Sequence, residues 1–489
     1  MSVIIYCAIA WNSTGYYDSD EHYQIIEFAG SKLGLASEQN LAWEYHSQIR
    51  PTLQPTLCYI VFKALQTFSI NNPYQQTFVL RLLTAILTLI IINFFVRTAK
   101  SQINESHQKI FYFLSFLLWI IPWIGVRFSS ETWSGLMFLL SLALLQSNKK
   151  DSLRFILMGI TLSTSFLFRY QSLILSVGLV MWLLIIKKES LKNIVKLILA
   201  GFIVVIIGIC IDTWFYHKFV ITSWNYFYTN IIQNVASRYG ILPWYFYIVQ
   251  IAKIPTYFIG IPVILSFLSL IIKKPKSIYL WTVLPFIVIH SIIPHKEARF
   301  IFPVMFLFPM MITLSYQEIT NLIKTKRIFK KISALLIISF LLVDMQGLTI
   351  VSQKSEGDGK MEISAYIHKN FNQRPVNLIY CPFTNPYRPW DPGGITAQFY
   401  LEKNMKMTPI KSLLDLNDSL IKPDTTNLLV IFKSNQYDEK CKQQLNKSKF
   451  KFKKRSIPVW IEKINCYEWW FSNGGILFLY EYEGKVNVH

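Results

Sequence analysis

The sequence predicts a polytopic α-helical membrane protein with a small extracytoplasmic α/β domain at its C-terminal end. Two observations carry this. The 489 residues are 52% hydrophobic and only 16% charged, whereas charged residues alone approach a quarter of a soluble domain. The basic residues sit in short clusters between apolar runs long enough to cross a bilayer, about 17 to 25 residues. That distribution makes the net charge of +21 a feature of membrane topology and excludes a nucleic-acid partner, which needs one basic face. Aromatic residues make up 16% of the chain, as expected where rings lie at headgroup level.

Taken in order, residues 2–11 are apolar but too short to span comfortably, and no basic segment precedes them as in a cleaved signal peptide. Residues 12–77 form a long first extracytoplasmic loop. Its aromatic and apolar residues predict one or two interfacial amphipathic helices, with Pro51 near a helix start. Candidate spans follow at 79–96, 110–125, 132–147, 153–168, 171–186, 193–212, 244–272, 278–293, 300–322 and 331–348. Lysine-rich connections alternate with lysine-poor ones. Lys149, Lys150 and Arg154 fill one, Lys187, Lys188, Lys192 and Lys196 another, then Lys273, Lys274 and Lys276, then Lys324 to Lys331. The positive-inside rule places these in the cytoplasm. The loop 12–77, the loop 213–243, the turn 291–299 and the tail then share the opposite side. Residues 1–348, with ten to eleven helices, are expected to be the transmembrane domain. Residues 349–489 are expected to be a soluble domain, with strands at NLLVIF and GILFLY between Gly, Pro and Asn turns. The six cysteines show no CxxC; Cys381, Cys441 and Cys466 in the tail allow one disulfide whose pairing cannot be assigned.

Every unusual polar cluster falls on the extracytoplasmic side. Asp18, Asp20, Glu21 and His22 follow the first apolar segment. A carboxylate there suits a general base for a hydroxyl, and a solvated loop acid is the plainer alternative. A metal fits less well, because no second carboxylate cluster supplies the remaining ligands. In SIIPHKEARFIFP, His295, Lys296 and Arg299 make a cationic turn at a helix start, where cations oppose the helix dipole. A phosphate would account for them; snorkelling to headgroups would account for Lys296 alone. Glu297 is placed to hold Arg299 or Lys296. Arg127 and Arg169 are further basic residues on this side, Arg169 being the better phosphate ligand, and Arg81 would cap the start of its span. Trp214, Tyr216, Trp224 and Trp244 suit stacking on a sugar or lining a lipid groove, and an interface belt alone would explain half of them.

In order along the chain, DSDEHYQIIEFA, WEYHSQIRPTLQP, FRYQSL, DTWFYHKFVITSWNYFYTNI with YGILPWYFY, and PHKEARFIFPV resemble the signature stretches of the glycosyltransferase family 22 mannosyltransferases. This is the Alg9-like and GPI mannosyltransferase family, and the likeness is nearest to the members that add the third mannose of the GPI anchor. It covers about residues 15–305. It implies a GT-C fold and inverting transfer of mannose from a polyprenyl (dolichyl-type) phosphate mannose donor to a lipid-linked glycan or glycolipid, without metal or other cofactor. Carried over by motif, the catalytic acids are Asp20 and Glu21, with Asp20 as base. The donor phosphate falls to Arg169, His295, Lys296 and Arg299, and substrate contacts to His22, Trp214, Tyr216, Trp224, Trp244 and Glu297. Asp18-Ser19 stands where the family has His-Pro or Asn-Pro, and the first helix is short. The Lys-, Ile- and Asn-rich chain also fits a bacterial relative with another polyprenyl carrier. The active site would then face the periplasm or exterior, or the endoplasmic reticulum lumen in a eukaryote. A glycan ligase and a lipid-linked sugar transporter remain as alternatives, the latter lacking the expected half-repeats.

Overall fold

A computed structural model describes residues 1–323, 327–357, 359–388, 395–465 and 467–484. It divides into two compact units. The first comprises residues 1–9, 43–57 and 80–349, the second residues 10–42, 58–79 and 350–489. The tail expected as a separate domain therefore shares its unit with two segments of the first loop.

The first unit is helical. Its longer helices are α1 (Pro73–Ala99, which begins in the second unit), α2 (Ser130–Leu145), α3 (Asp151–Phe168), α4 (Leu173–Ile185), α5 (Leu191–Tyr216), α6 (Tyr257–Lys273), α7 (Ile278–Ile292), α8 (Phe308–Ile323) and α9 (Arg327–Val351). Among the described residues, Pro73–Gln102, Asp151–Phe168, Leu191–Tyr216 and Ala334–Val351 are each long and apolar enough to cross a membrane. Along α5, Val195, Ile198, Leu199, Phe202, Ile203 and Ile206 are all exposed. An apolar face of that extent belongs in hydrocarbon, not water. The chain is an integral membrane protein.

Three expected spans are interrupted, each for a local reason. The span at 110–125 splits into Glu105–Leu117 and Ile120–Gly125, and the break at Trp119 is stabilised because its N–H donates to the buried Asp344 of α9 at 2.7 Å. The span at 244–272 splits into Phe246–Lys253 and α6, because Pro255 cannot donate and disfavours helix at Ile254; Thr256 follows at φ 70°. The span at 300–322 bends by 64° between Met305 and Phe308, where Pro309 starts α8. Arg81 does not cap α1. It lies eight residues inside the helix and is only 4% exposed.

Close helix contacts rest on glycine. A Cβ at Gly159 of α3 would lie 2.1 Å from the Leu197 carbonyl oxygen of α5, and one at Gly178 of α4 would lie 2.6 Å from that of Trp281 in α7. Small residues let helix backbones approach where no hydrophobic force draws them together in lipid.

The second unit holds a five-stranded sheet of order β2-β1-β3-β5-β4, with β1 Val376–Tyr380, β2 Met405–Pro409, β3 Thr426–Phe432, β4 Phe450–Arg455 and β5 Leu477–Tyr482. β1 runs parallel to β2 and β3, while β5 runs antiparallel to β3 and β4. β3 is central and apolar on both faces, as a strand covered on both sides requires. The β4 edge carries Lys451, Lys453 and Lys454, a charge pattern that blocks further strand pairing. The first-loop segments are built into this unit. Tyr23 donates to the Ile395 carbonyl at 2.7 Å, the Glu356 N–H to the Thr14 carbonyl at 2.9 Å, and Phe62 stacks on Phe399. Cys381 and Cys441 are free thiols, and burial pushes the Cys381 thiol up to about 12. Cys466 lies outside the described residues.

Candidate active site

Two polar constellations occupy the first unit. The larger begins where α3 ends. Arg169 adopts extended backbone (φ −153°, ψ 114°), which terminates the helix. α2 starts nearby with Ser129 as its cap, its hydroxyl accepting from the Thr132 N–H at 3.2 Å. This fixes Glu131 in the first turn. Arg169 Nη1 donates to Glu131 Oε1 at 2.5 Å and to Ser130 Oγ at 3.2 Å, and Arg299 Nη1 donates to the same Glu131 oxygen at 3.3 Å. Arg299 Nε donates to Glu297 Oε2 at 2.6 Å, and His295 Nε2 lies 2.9 Å from Glu297 Oε1. The result is one chain of charges: Arg169, Glu131, Arg299, Glu297, His295. Glu131 and both arginines are buried. The Phe300 ring packs against both guanidinium groups, 4.8 Å from Arg169 Cζ and 5.6 Å from Arg299 Cζ.

The chemistry of this chain follows from what is left unmatched. Arg169 Nε and Nη2 are buried and meet no acceptor among the described residues. An unsatisfied buried donor costs about 1–3 kcal/mol, more on a charged group, a cost that an acceptor placed against these N–H groups would remove. With His295 protonated, this chain of five groups alternates three cations with two carboxylates.

Burial alone would raise the Glu297 pKa, but the hydrogen bond from His295 and the charge and hydrogen bond of Arg299 hold it well below the usual carboxylate range. The same hydrogen bond raises the His295 pKa against an opposing burial effect. His295 Nδ1 also lies 3.3 Å from the Gly240 carbonyl oxygen; donating at both nitrogens requires the imidazolium. The signs give a window. Glu297, with a depressed folded pKa, stabilises the fold above its unfolded value near 4.5 and loses this as pH falls. His295, with a raised folded pKa, stabilises below 6.5 and loses this as pH rises through the raised value. His295→Gln is therefore expected to lower the unfolding temperature more at pH 5.5 than at pH 8.5. Equal losses at both pH values would refute the charged pair.

Lys296 behaves differently from the expectation placed on it. Its side chain is buried, and its ammonium donates to the carbonyls of Leu242 (2.9 Å), Ile293 (2.6 Å) and Pro294 (3.4 Å). An ammonium has three N–H donors, and all three are committed to closing this turn. Glu297 holds Arg299, as expected, and pairs with His295 instead of Lys296.

The second constellation centres on Asp212 of α5. Its Oδ1 accepts from the Thr52 N–H at 2.8 Å and from Thr52 Oγ1 at 2.6 Å, and its Oδ2 accepts from Thr222 Oγ1, which is itself bonded to the Tyr170 hydroxyl. Tyr216 is buried, and its hydroxyl donates to the Arg50 carbonyl at 3.1 Å. These bonds pin the RPT turn to the end of α5. Asp212→Ala would strand the Thr52 and Thr222 donors, and an unfolding free energy lower by about 3 kcal/mol is expected. Thermal denaturation in detergent checks it; a loss within error of zero would show that the turn is held by other contacts. Trp214, Trp224 and Trp244, by contrast, are exposed.

The acids of the first loop belong to the second unit. Asp18 caps the short helix Ser19–Glu21, its carboxylate accepting from the Asp20 N–H at 3.1 Å, and Glu21, buried, accepts from the Tyr17 N–H at 3.1 Å. Asp20 lies half-buried beside them. A π-helical turn, His22–Ile26, follows directly, a distortion frequent at functional sites. His22 is fully buried, stacked between Tyr16 and Tyr400, with Nε2 2.8 Å from Glu27 Oε1. Glu27 also accepts from the Phe399 N–H at 3.0 Å. His22 thus ties the acidic turn to the tail.

Glu131, Asp212 and Glu27 were not singled out from sequence. For Glu131 a signal existed: a lone acid after two serines at the head of an apolar run is costly in a membrane and normally paired.

The model of the Alg9-like mannosyltransferase family matches residues 1–377. GPI alpha-1,2-mannosyltransferase 3 of Xenopus laevis is 25% identical over 301 residues, 58% of this chain and 53% of that protein. GPI mannosyltransferase 3 of Candida albicans is 26% identical over 292 residues, 59% and 57% of the two chains, and the Bos taurus protein is 23% identical over 368 residues, 74% and 65%. The chain thus spans little more than half the length of the first two. Among solved structures, ArnT from Cupriavidus metallidurans, bound to undecaprenyl phosphate, superposes with a TM-score of 0.54 over 99% of this chain and 97% of that one, at 9% identity.

Proposed function

The chain belongs to the Alg9-like mannosyltransferase family and has the GT-C fold, and from that premise we propose that it transfers mannose from a polyprenyl phosphate mannose to a lipid-linked glycan or glycolipid. Asp20 takes the proton of the acceptor hydroxyl as its oxygen attacks the anomeric carbon. The bond from that carbon to the phosphate oxygen breaks, and the polyprenyl phosphate departs with inversion. Arg169 and Arg299 stabilise the departing phosphate, which needs no proton because it is weakly basic. Glu131 aligns the two guanidinium groups. Lys296 shapes the turn, and His295 and Glu297 set the charge beside Arg299. The lysine-rich connections face the cytoplasm, and the reaction takes place on the opposite side: in the endoplasmic reticulum lumen of a eukaryote, at the periplasm or exterior of a bacterium.

The observation that carries this reading is the buried arginine pair on Glu131, with two N–H groups of Arg169 left for an anion. Membranes containing the chain, given radiolabelled polyprenyl phosphate mannose and host lipid extract, are expected to yield a labelled glycolipid with inverted anomeric configuration. Transfer only from glucose- or arabinose-charged carriers would overturn the sugar, and transfer of a preassembled glycan would make the protein a ligase.

A further inference from the structure

At the other end of α4 and α7 from the arginine chain lies a further polar site, distinct from the Asp212 constellation. α7, with 15 residues, spans about 22 Å at 1.5 Å per residue and separates the His295 turn from the Lys273–Ser277 turn. There a pocket of about 660 Å³ is lined by Lys187, Lys273, Lys274 and Lys276, with Trp182 and Gln146 among its walls. Lys274 pairs with Glu318 at 3.1 Å. Among the described residues no ion pair joins Lys187, Lys273 or Lys276 to a carboxylate, and even with Glu189 beside Lys187 the four lysines outnumber the two acids near them.

The pocket is also a helix terminus. Ser277 is the N-cap residue of α7, and its side chain makes no capping bond to the first-turn N–H groups. Uncapped amides and the positive end of the helix dipole favour an anion, phosphate above all. The turn is held rigid: Trp182 Nε1 donates to the Lys276 carbonyl at 2.8 Å, and Trp281 Nε1 to the Pro275 carbonyl at 3.0 Å.

A lipid source is favoured over a soluble one by what runs away from the pocket. α4 ends there, and along it Leu173, Val177, Met181 and Ile185 recur every four residues, each between 42% and 52% exposed. An acyl chain lying on that row would bring its headgroup to the lysines. Basic pockets at helix ends bind anionic headgroups in this way.

We propose that this pocket binds the headgroup of one anionic phospholipid in the lysine-side leaflet, separate from the transfer site. The full chain, reconstituted with phosphatidylglycerol and phosphatidylcholine in equal amounts, is examined by native mass spectrometry after delipidation. One phosphatidylglycerol is expected to stay bound per chain. The triple variant Lys187→Gln, Lys273→Gln, Lys276→Gln should lose it about tenfold or more. Lys149→Gln with Lys150→Gln, at exposed lysines of another connection, should retain it. Equal retention of phosphatidylcholine, unchanged retention in the triple variant, or equal loss in the control would each overturn the site. So would binding of millimolar inorganic phosphate that displaces the lipid, since the ligand would then be a soluble anion.

Discussion

Arg169→Ala is expected to lower mannosyl transfer by about 100- to 1,000-fold, the range for removing one preorganised donor from a developing anion. Arg169 is buried, holds Glu131 through a single nitrogen, and keeps Nε and Nη2 without an acceptor among the described residues. Arg50, Arg127, Arg154 and Arg455 each leave one buried nitrogen unmatched among the described residues, whereas Arg169 leaves two. The variant also leaves Glu131 with only the longer Arg299 ion pair at 3.3 Å and the Ser130 hydroxyl at 3.1 Å, so some stability is lost with it. Arg169→Lys separates the two effects. A lysine restores the charge opposite Glu131 but offers no planar second edge to a phosphate. It is expected to recover folding while kcat stays at least about tenfold low and the acceptor KM is unchanged. Full activity in Arg169→Lys at equal expression would show that Arg169 serves the fold and not the phosphate.

Asp20→Asn is expected to reduce kcat by about 100- to 10,000-fold, the usual contribution of a positioned general base, with little change in the donor KM. The asparagine keeps shape and polarity but cannot accept the proton. Glu21→Gln provides the contrast. Glu21 is buried and accepts the Tyr17 N–H, a task that a glutamine oxygen performs, so its loss should be about tenfold or less. A large loss in Glu21→Gln with an active Asp20→Asn would exchange the two roles. Product should be scored in lipid extracts, with both variants matched for amount in the membrane.

Much of this protein was legible in one dimension. Apolar runs and alternating lysine clusters were sufficient for a polytopic helical chain, because a bilayer demands length and apolarity that a sequence displays directly. NLLVIF and GILFLY marked β3 and β5, because a strand buried on both faces must be apolar throughout. The motif around His295 to Arg299 announced its charges because ionisable groups at a membrane helix are rare. Partner choice was another matter. That Glu131 joins Arg169 to Arg299, 38 and 168 residues away, is decided by which helix ends meet in space, and no spacing rule reaches so far. The same holds for Lys296, which looked like a phosphate ligand until its three carbonyl acceptors became visible. His22, which the motif marked as a substrate contact, is fully buried between Tyr16 and Tyr400. By itself, then, the sequence determined which residues carry charge into a membrane and which segments are buried. Only the tertiary structure decided which of those charges neutralise one another, because that depends on a few ångströms of helix packing between residues far apart in the chain.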